Sequence, residues 1–74
     1  MFTVKVVDGS TGLPVNGTRV SVGFDGLLRG FSCEDYTNFD GEVHFDNDNG
    51  NGTIYVNGQP KYKGKIEGLR LVYI

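Results

Sequence analysis

Apolar and polar residues alternate along this chain with a period of two, and turns rich in glycine and asparagine interrupt the alternation every eight to twelve residues. In the first run, Phe2–Val7, Phe2, Val4 and Val6 share one face while Thr3 and Lys5 occupy the other. A second run, Thr18–Phe24, sets Val20, Val22 and Phe24 against Arg19, Ser21 and Gly23. Asp25-Gly26 then marks a hairpin turn into a third run, Leu27–Tyr36, where Phe31 and Cys33 share a face and Gly30 signals a bulge. Asp40-Gly41 precedes Glu42–Phe45, with Val43 and Phe45 inward, and a polar loop at 46–52 leads to Thr53–Val56, closed by Asn57-Gly58. The last stretch, Lys61–Ile74, reads as two strands broken near Gly68. Leu69, Leu71 and Tyr73 face one way there, and Val72 and Ile74 the other. This pattern predicts an all-β chain: seven strands, no substantial helix, and one antiparallel β-sandwich domain over residues 1–74.

Composition sharpens that expectation. Twelve glycines, six asparagines and no alanine leave a longest glycine-free stretch of ten residues, Phe31–Asp40, too short for a stable long helix. A chain of 74 residues holds one small core, burying only about 60% of the surface that the unfolded chain exposes. A single cysteine, Cys33, excludes an internal disulfide, and with the single histidine, His44, it falls short of a zinc ligand set. The opening Met-Phe-Thr-Val-Lys has no basic stretch followed by an apolar run, so no secretory signal is visible, and no apolar segment reaches membrane-spanning length. The expected location is cytoplasmic if the chain is a complete gene product, and open if it is an excised domain.

Residues 1–22 run from an apolar strand into Val7-Asp8, then Ser10-Thr11-Gly12-Leu13-Pro14-Val15, Asn16-Gly17 and a second strand. Thr37-Asn38-Phe39-Asp40-Gly41-Glu42-Val43, followed by Phe45, forms a turn into an inward valine. Both stretches resemble the transthyretin-like, or prealbumin-like, β-sandwiches, a group that includes hydroxyisourate hydrolase, carboxypeptidase regulatory-like domains and collagen-binding B-type repeats of surface proteins. The resemblance implies a prealbumin- or immunoglobulin-like sandwich that hosts many roles. It also implies where a hydrolase would keep its chemistry, and this chain departs at each place. Lys5 stands in place of a first-strand histidine and Glu42 in place of an arginine, and the chain ends Arg70-Leu71-Val72-Tyr73-Ile74 where the hydrolase has a Tyr-Arg-Gly-Ser tail. The surface repeats suggest an internal isopeptide bond from Lys5 with Glu42 or Glu34 as the acid. Leu69–Ile74 contains neither the asparagine nor the aspartate that the bond would need.

Several constellations remain. Asp46 and Asp48, interleaved with asparagines in the 46–52 loop, offer oxygen ligands for calcium. The spacing lacks the glycine and the final glutamate of a helix-flanked calcium loop, and the plainer reading is a hydrated turn. Lys61, Lys63 and Lys65, with Arg70 and the aromatics Tyr62 and Tyr73, make a basic stripe. Lysines at period two mark the solvent face of an edge strand, and an acidic domain of net charge −2 argues against nucleic acid as partner. Charge is polarised along the chain: Glu34–Asp48 carries six acids and no Lys or Arg, whereas Lys61–Arg70 carries four bases against Glu67, which favours an oriented partner or head-to-tail contact. His44 reads as an exposed strand histidine flanked by acids, and Cys33 as a small core residue beside negative neighbours. The final strand, apolar on both faces, is either a central strand buried on both sides or an edge that pairs with another chain.

Together these features predict a module without catalysis or cofactor, acting as spacer, docking or adhesion unit through a protein partner or self-association. The alternative is a calcium- or carbohydrate-binding module using the 46–52 loop with Tyr55 stacking on sugar. A transthyretin-like hydrolase is disfavoured by the three unmatched positions.

Overall fold

The computed structural model describes residues 1–26 and 32–74. Seven strands follow in order: β1 (Phe2–Val7), β2 (Arg19–Phe24), β3 (Ser32–Tyr36), β4 (Glu42–Phe45), β5 (Gly50–Val56), β6 (Gln59–Ile66) and β7 (Gly68–Tyr73), with no helix among the described residues. They form a three-stranded sheet ordered β4-β1-β7 and a four-stranded sheet ordered β3-β2-β5-β6. The first half of the expected third run, with Phe31 and the Gly30 bulge, lies outside the described residues.

Alternation explains the core directly. Val4, Val6, Val20, Val22, Ile54 and Ile66 are fully buried, and both sheets contribute to one apolar cluster. Each such side chain contributes about 1.5–3 kcal/mol relative to exposure. Phe2 links the layers: its ring meets Phe24 of the other sheet edge-on at 5.9 Å and tilts against Phe45 of its own at 5.4 Å.

Two expectations need correction. The sheets are not wholly antiparallel, because β1 and β7 run parallel, from Phe2 beside Gly68 to Val7 beside Tyr73. The other four pairings are antiparallel. β6 and β7 belong to different sheets and only Glu67 separates them, so the chain bends at Gly68 (φ 59°) and crosses layers instead of folding back as a hairpin. Everything from β2 to β6 therefore serves as the long crossover that a parallel pair requires. The second correction concerns the 46–52 loop. Gly50, Asn51 and Gly52 extend β5 and pair with Ile66, Lys65 and Gly64 of β6. Gly52 is required there because a Cβ would collide with the Gly23 carbonyl oxygen of β2.

Side chains tie the connections down. Thr37, buried, accepts a hydrogen bond from the Thr18 N–H (2.9 Å) and donates its hydroxyl to the Val15 carbonyl (2.6 Å). Asn57 Nδ2 donates to Thr18 Oγ1 (3.1 Å), which joins the β5–β6 turn to the same knot. That turn is Asn57-Gly58, both at positive φ (52° and 83°), as a two-residue hairpin turn requires. Before β4, Asn38 Oδ1 accepts from the N–H groups of Asp40 (2.9 Å) and Glu42 (3.1 Å). Gly41 (φ 74°) sits so close to the Val6 carbonyl that a Cβ would lie 2.6 Å from its oxygen. Within the Thr37–Val43 motif, Asn38 thus satisfies the backbone of its own turn while Thr37 ties the turn to the segment before β2.

Thr37→Val keeps the shape but strands the Val15 carbonyl and the Thr18 N–H. Urea denaturation is expected to show a loss of about 1–3 kcal/mol, most of it recovered in Thr37→Ser.

Candidate functional site

Two open sheets have four edge strands among the described residues: β3 and β6 in one, β4 and β7 in the other. β3 lies next to β4 on one side of the molecule, and β6 next to β7 on the opposite side. The charge polarity seen in the sequence maps onto these sides. Glu34 and Asp35 lie on β3 and Glu42 on β4, while Lys61, Lys63 and Lys65 lie on β6 and Arg70 on β7.

Three edges carry features that discourage further pairing. β3 exposes Glu34 and Asp35. β4 has four residues, with Glu42 and His44 on its outer face. β6 carries Pro60 near its start, exposes Lys61, Lys63 and Lys65, and meets β5 through a register shift at Ile54/Tyr55. On β7, Leu69, Leu71 and Tyr73 project outward and are 57%, 45% and 59% exposed, whereas Val72 is buried. The expectation of a final strand buried on both faces is therefore replaced by its alternative, an edge strand with an exposed apolar row. The backbone of β7 is open as well. Ile74 donates to the Val7 carbonyl and accepts from the Gly9 N–H, so the alternate residues Val72 and Arg70 also turn their backbone groups toward β1. Leu69, Leu71 and Tyr73 accordingly aim their N–H and C=O groups at the free side.

Arg70 points inward from this edge. Its guanidinium lies over the Tyr62 ring, 5.5 Å from the centroid, and Nε donates to the Lys65 carbonyl (3.0 Å). The same carbonyl accepts from the Tyr62 hydroxyl (2.7 Å), and the Tyr62 side chain folds back over Gly64. The structure thus gathers Tyr62, Lys65 and Arg70 into one latch between the sheets. Lys61 and Lys63 stay in solvent, Lys65 pairs with Glu67 (3.4 Å), and Tyr73 belongs to the apolar row.

The acidic loop offers less. Asp46 and Asp48 are exposed, and among the described residues no group of three or more His, Cys, Asp or Glu side chains is placed to share an ion. Tyr55 does not adjoin the loop. It sits five residues beyond the start of β5, about 17 Å along an extended strand, with its ring against Gly23 on the outer face.

One arrangement is not visible in the linear sequence. Register places Thr3 opposite His44 and Lys5 opposite Glu42. Thr3 Oγ1 and His44 Nδ1 share a hydrogen bond of 2.8 Å, and His44 Nε2 lies 3.5 Å from Glu42 Oε1. The hydroxyl–imidazole–carboxylate order is that of a nucleophile and its base, but the three line an exposed sheet face. Only pairing register reveals it, since Thr3 and His44 are 41 residues apart. A depression of about 550 Å³ lies elsewhere, lined by Asp8, Val56, Asn57, Gln59, Lys61 and Ile74. Cys33 packs against the core, and burial pushes its thiol pKa up, away from reactivity.

No protein-family model, no curated protein and no solved structure matches the chain. No described helix is long and apolar enough to cross a membrane.

Asp8, in the depression, accepts from both the Ser10 hydroxyl (2.7 Å) and the Ser10 N–H (2.8 Å), which hold its carboxyl below the usual 3.8. A depressed folded-state value means that this contribution is present above the ordinary carboxylate range and is lost as pH falls through the Asp8 titration. An NMR pH titration of Ser10→Ala is expected to move the Asp8 midpoint upward toward 3.8.

Proposed function

We propose that this chain is a non-catalytic protein-interaction module, a two-layer β-sandwich of the prealbumin-like kind that its turn motifs resemble, and that it docks a partner by strand addition at β7. One observation carries the reading: β7 presents an apolar row together with a backbone that is unpaired among the described residues, while the other edges are short, charged, irregular in register or carry a proline. Strand addition uses both features, since backbone bonds supply affinity and alternate side chains supply selectivity. The hydrolase alternative gains no support from Lys5 and Glu42, which stand side by side on an outer face rather than around a cavity.

The test separates docking from stability. Leu71 is 45% exposed in the isolated chain, so Leu71→Lys is expected to cost less than about 1 kcal/mol in urea denaturation. The same substitution is expected to abolish binding of extended peptides selected from a random library on the unaltered chain. In the unaltered complex, backbone amide shifts are expected to centre on Leu69–Tyr73. A large stability loss with peptide binding intact would show that the row serves packing, and would sink the docking role.

A further inference from the structure

Arg70 sits at the β7 edge, half-buried against Tyr62. Gly68, Arg70 and Val72 form the inner face of this strand, so the residue that an added strand sets beside Arg70 also covers the guanidinium. Nε is committed to the Lys65 carbonyl, but among the described residues Arg70 has no carboxylate partner. Its Nη donors remain available. An apolar or basic neighbour would strip water from the charge and return nothing, which is a strong penalty. A carboxylate would complete a forked pair of charge-assisted hydrogen bonds. On the outer face the same strand meets Leu69, Leu71 and Tyr73, which favour apolar residues. The adjoining β6, with Lys61, Lys63 and Lys65, adds positive potential to this side of the molecule.

Resting on the β7 docking reading above, we propose that the partner is an extended acidic segment with apolar residues at alternate positions and a carboxylate at the position beside Arg70. A second copy pairing through its own β7 or its β4 is a poor match. β7 contains no acid, so a second β7 leaves both Arg70 guanidinium groups unpaired and brings two lysine-bearing β6 edges to one seam. β4 carries Glu42 on its outer face and turns Val43 and Phe45 inward, so it would offer Arg70 an apolar neighbour. The inward arginine therefore works in two directions: it penalises unmatched strands and rewards one that brings an acid.

Three peptides of about eight residues test this, each alternating valine with one polar residue: glutamate, serine or lysine. Each is titrated into the intact chain and followed by backbone amide shifts. The glutamate peptide is expected to shift Leu69–Tyr73 and the Arg70 Nε signal, and to bind about tenfold more tightly than the serine peptide. The lysine peptide is expected to bind most weakly, and the glutamate advantage to shrink between about 50 mM and about 500 mM salt. Arg70→Gln is expected to bring the glutamate and serine peptides to the same affinity; because the peptide comparison on the unaltered chain is independent, a folding defect in that variant leaves the test intact. Equal binding of glutamate and serine peptides at β7 overturns the acid requirement while the docking reading stands. No shift at β7 with any peptide overturns both. A dimer in sedimentation with protected Leu69–Tyr73 amides overturns the acidic partner in favour of a second copy.

Discussion

Among the described residues, seven strands shared three and four between two unclosed sheets leave four edges, and each edge must be shielded or used, because an unpaired row of N–H and C=O groups is a template for any passing strand. In this molecule the treatment is uneven. Acids flank β3 and β4, lysines and a proline guard β6, and β7 carries an apolar row with one inward arginine. The small core beneath constrains the choice, since its buried cluster is built from valine, isoleucine and phenylalanine. Only outward positions and edges remain for function.

Electrostatics follows from the same topology. The acidic and basic segments are separated in sequence, but their assignment to opposite sides comes from strand order, which places β3 with β4 and β6 with β7. Most of these charges sit in water, where individual pairs such as Arg19–Glu34 at 4.0 Å contribute little to stability. Arg70 differs because it is half-buried against Tyr62 and bonded to a backbone carbonyl, so its charge sits where a docking strand would desolvate it. The Tyr62–Lys65–Arg70 latch thus joins the two sheets and also flanks the proposed docking edge.

The readable parts of the fold were those governed by local physics. Phe2–Val7 and Glu42–Phe45 match their observed strands residue for residue, because strict alternation with a turn on each side leaves little choice of boundary. The break near Gly68 and the turn at Asn57-Gly58 were legible for the same reason, since both need positive φ. Gly50–Gly52 forms strand although glycine and asparagine usually signal turns. Here Gly52 serves a close approach to the Gly23 backbone, which composition does not reveal. Of the candidate residues, Lys61, Lys63 and Lys65 stand on an edge as the alternation suggested, whereas Arg70 and Tyr62 acquire their meaning from a contact across layers.

By itself the amino-acid order determined which side of β1, β2, β4 and β5 is greasy, where the chain must turn, and that helix is disfavoured. These are consequences of side-chain period and backbone freedom, properties of residues and their immediate neighbours. It left undetermined which strand lies beside which, and in what direction. The parallel union of β1 with β7, the exposure of Leu69, Leu71 and Tyr73, and the meeting of Thr3 with His44 were decided only by tertiary structure. Alternation gives a strand two faces but says nothing about its two edges, and edges are assigned only when the whole chain competes to fill one core.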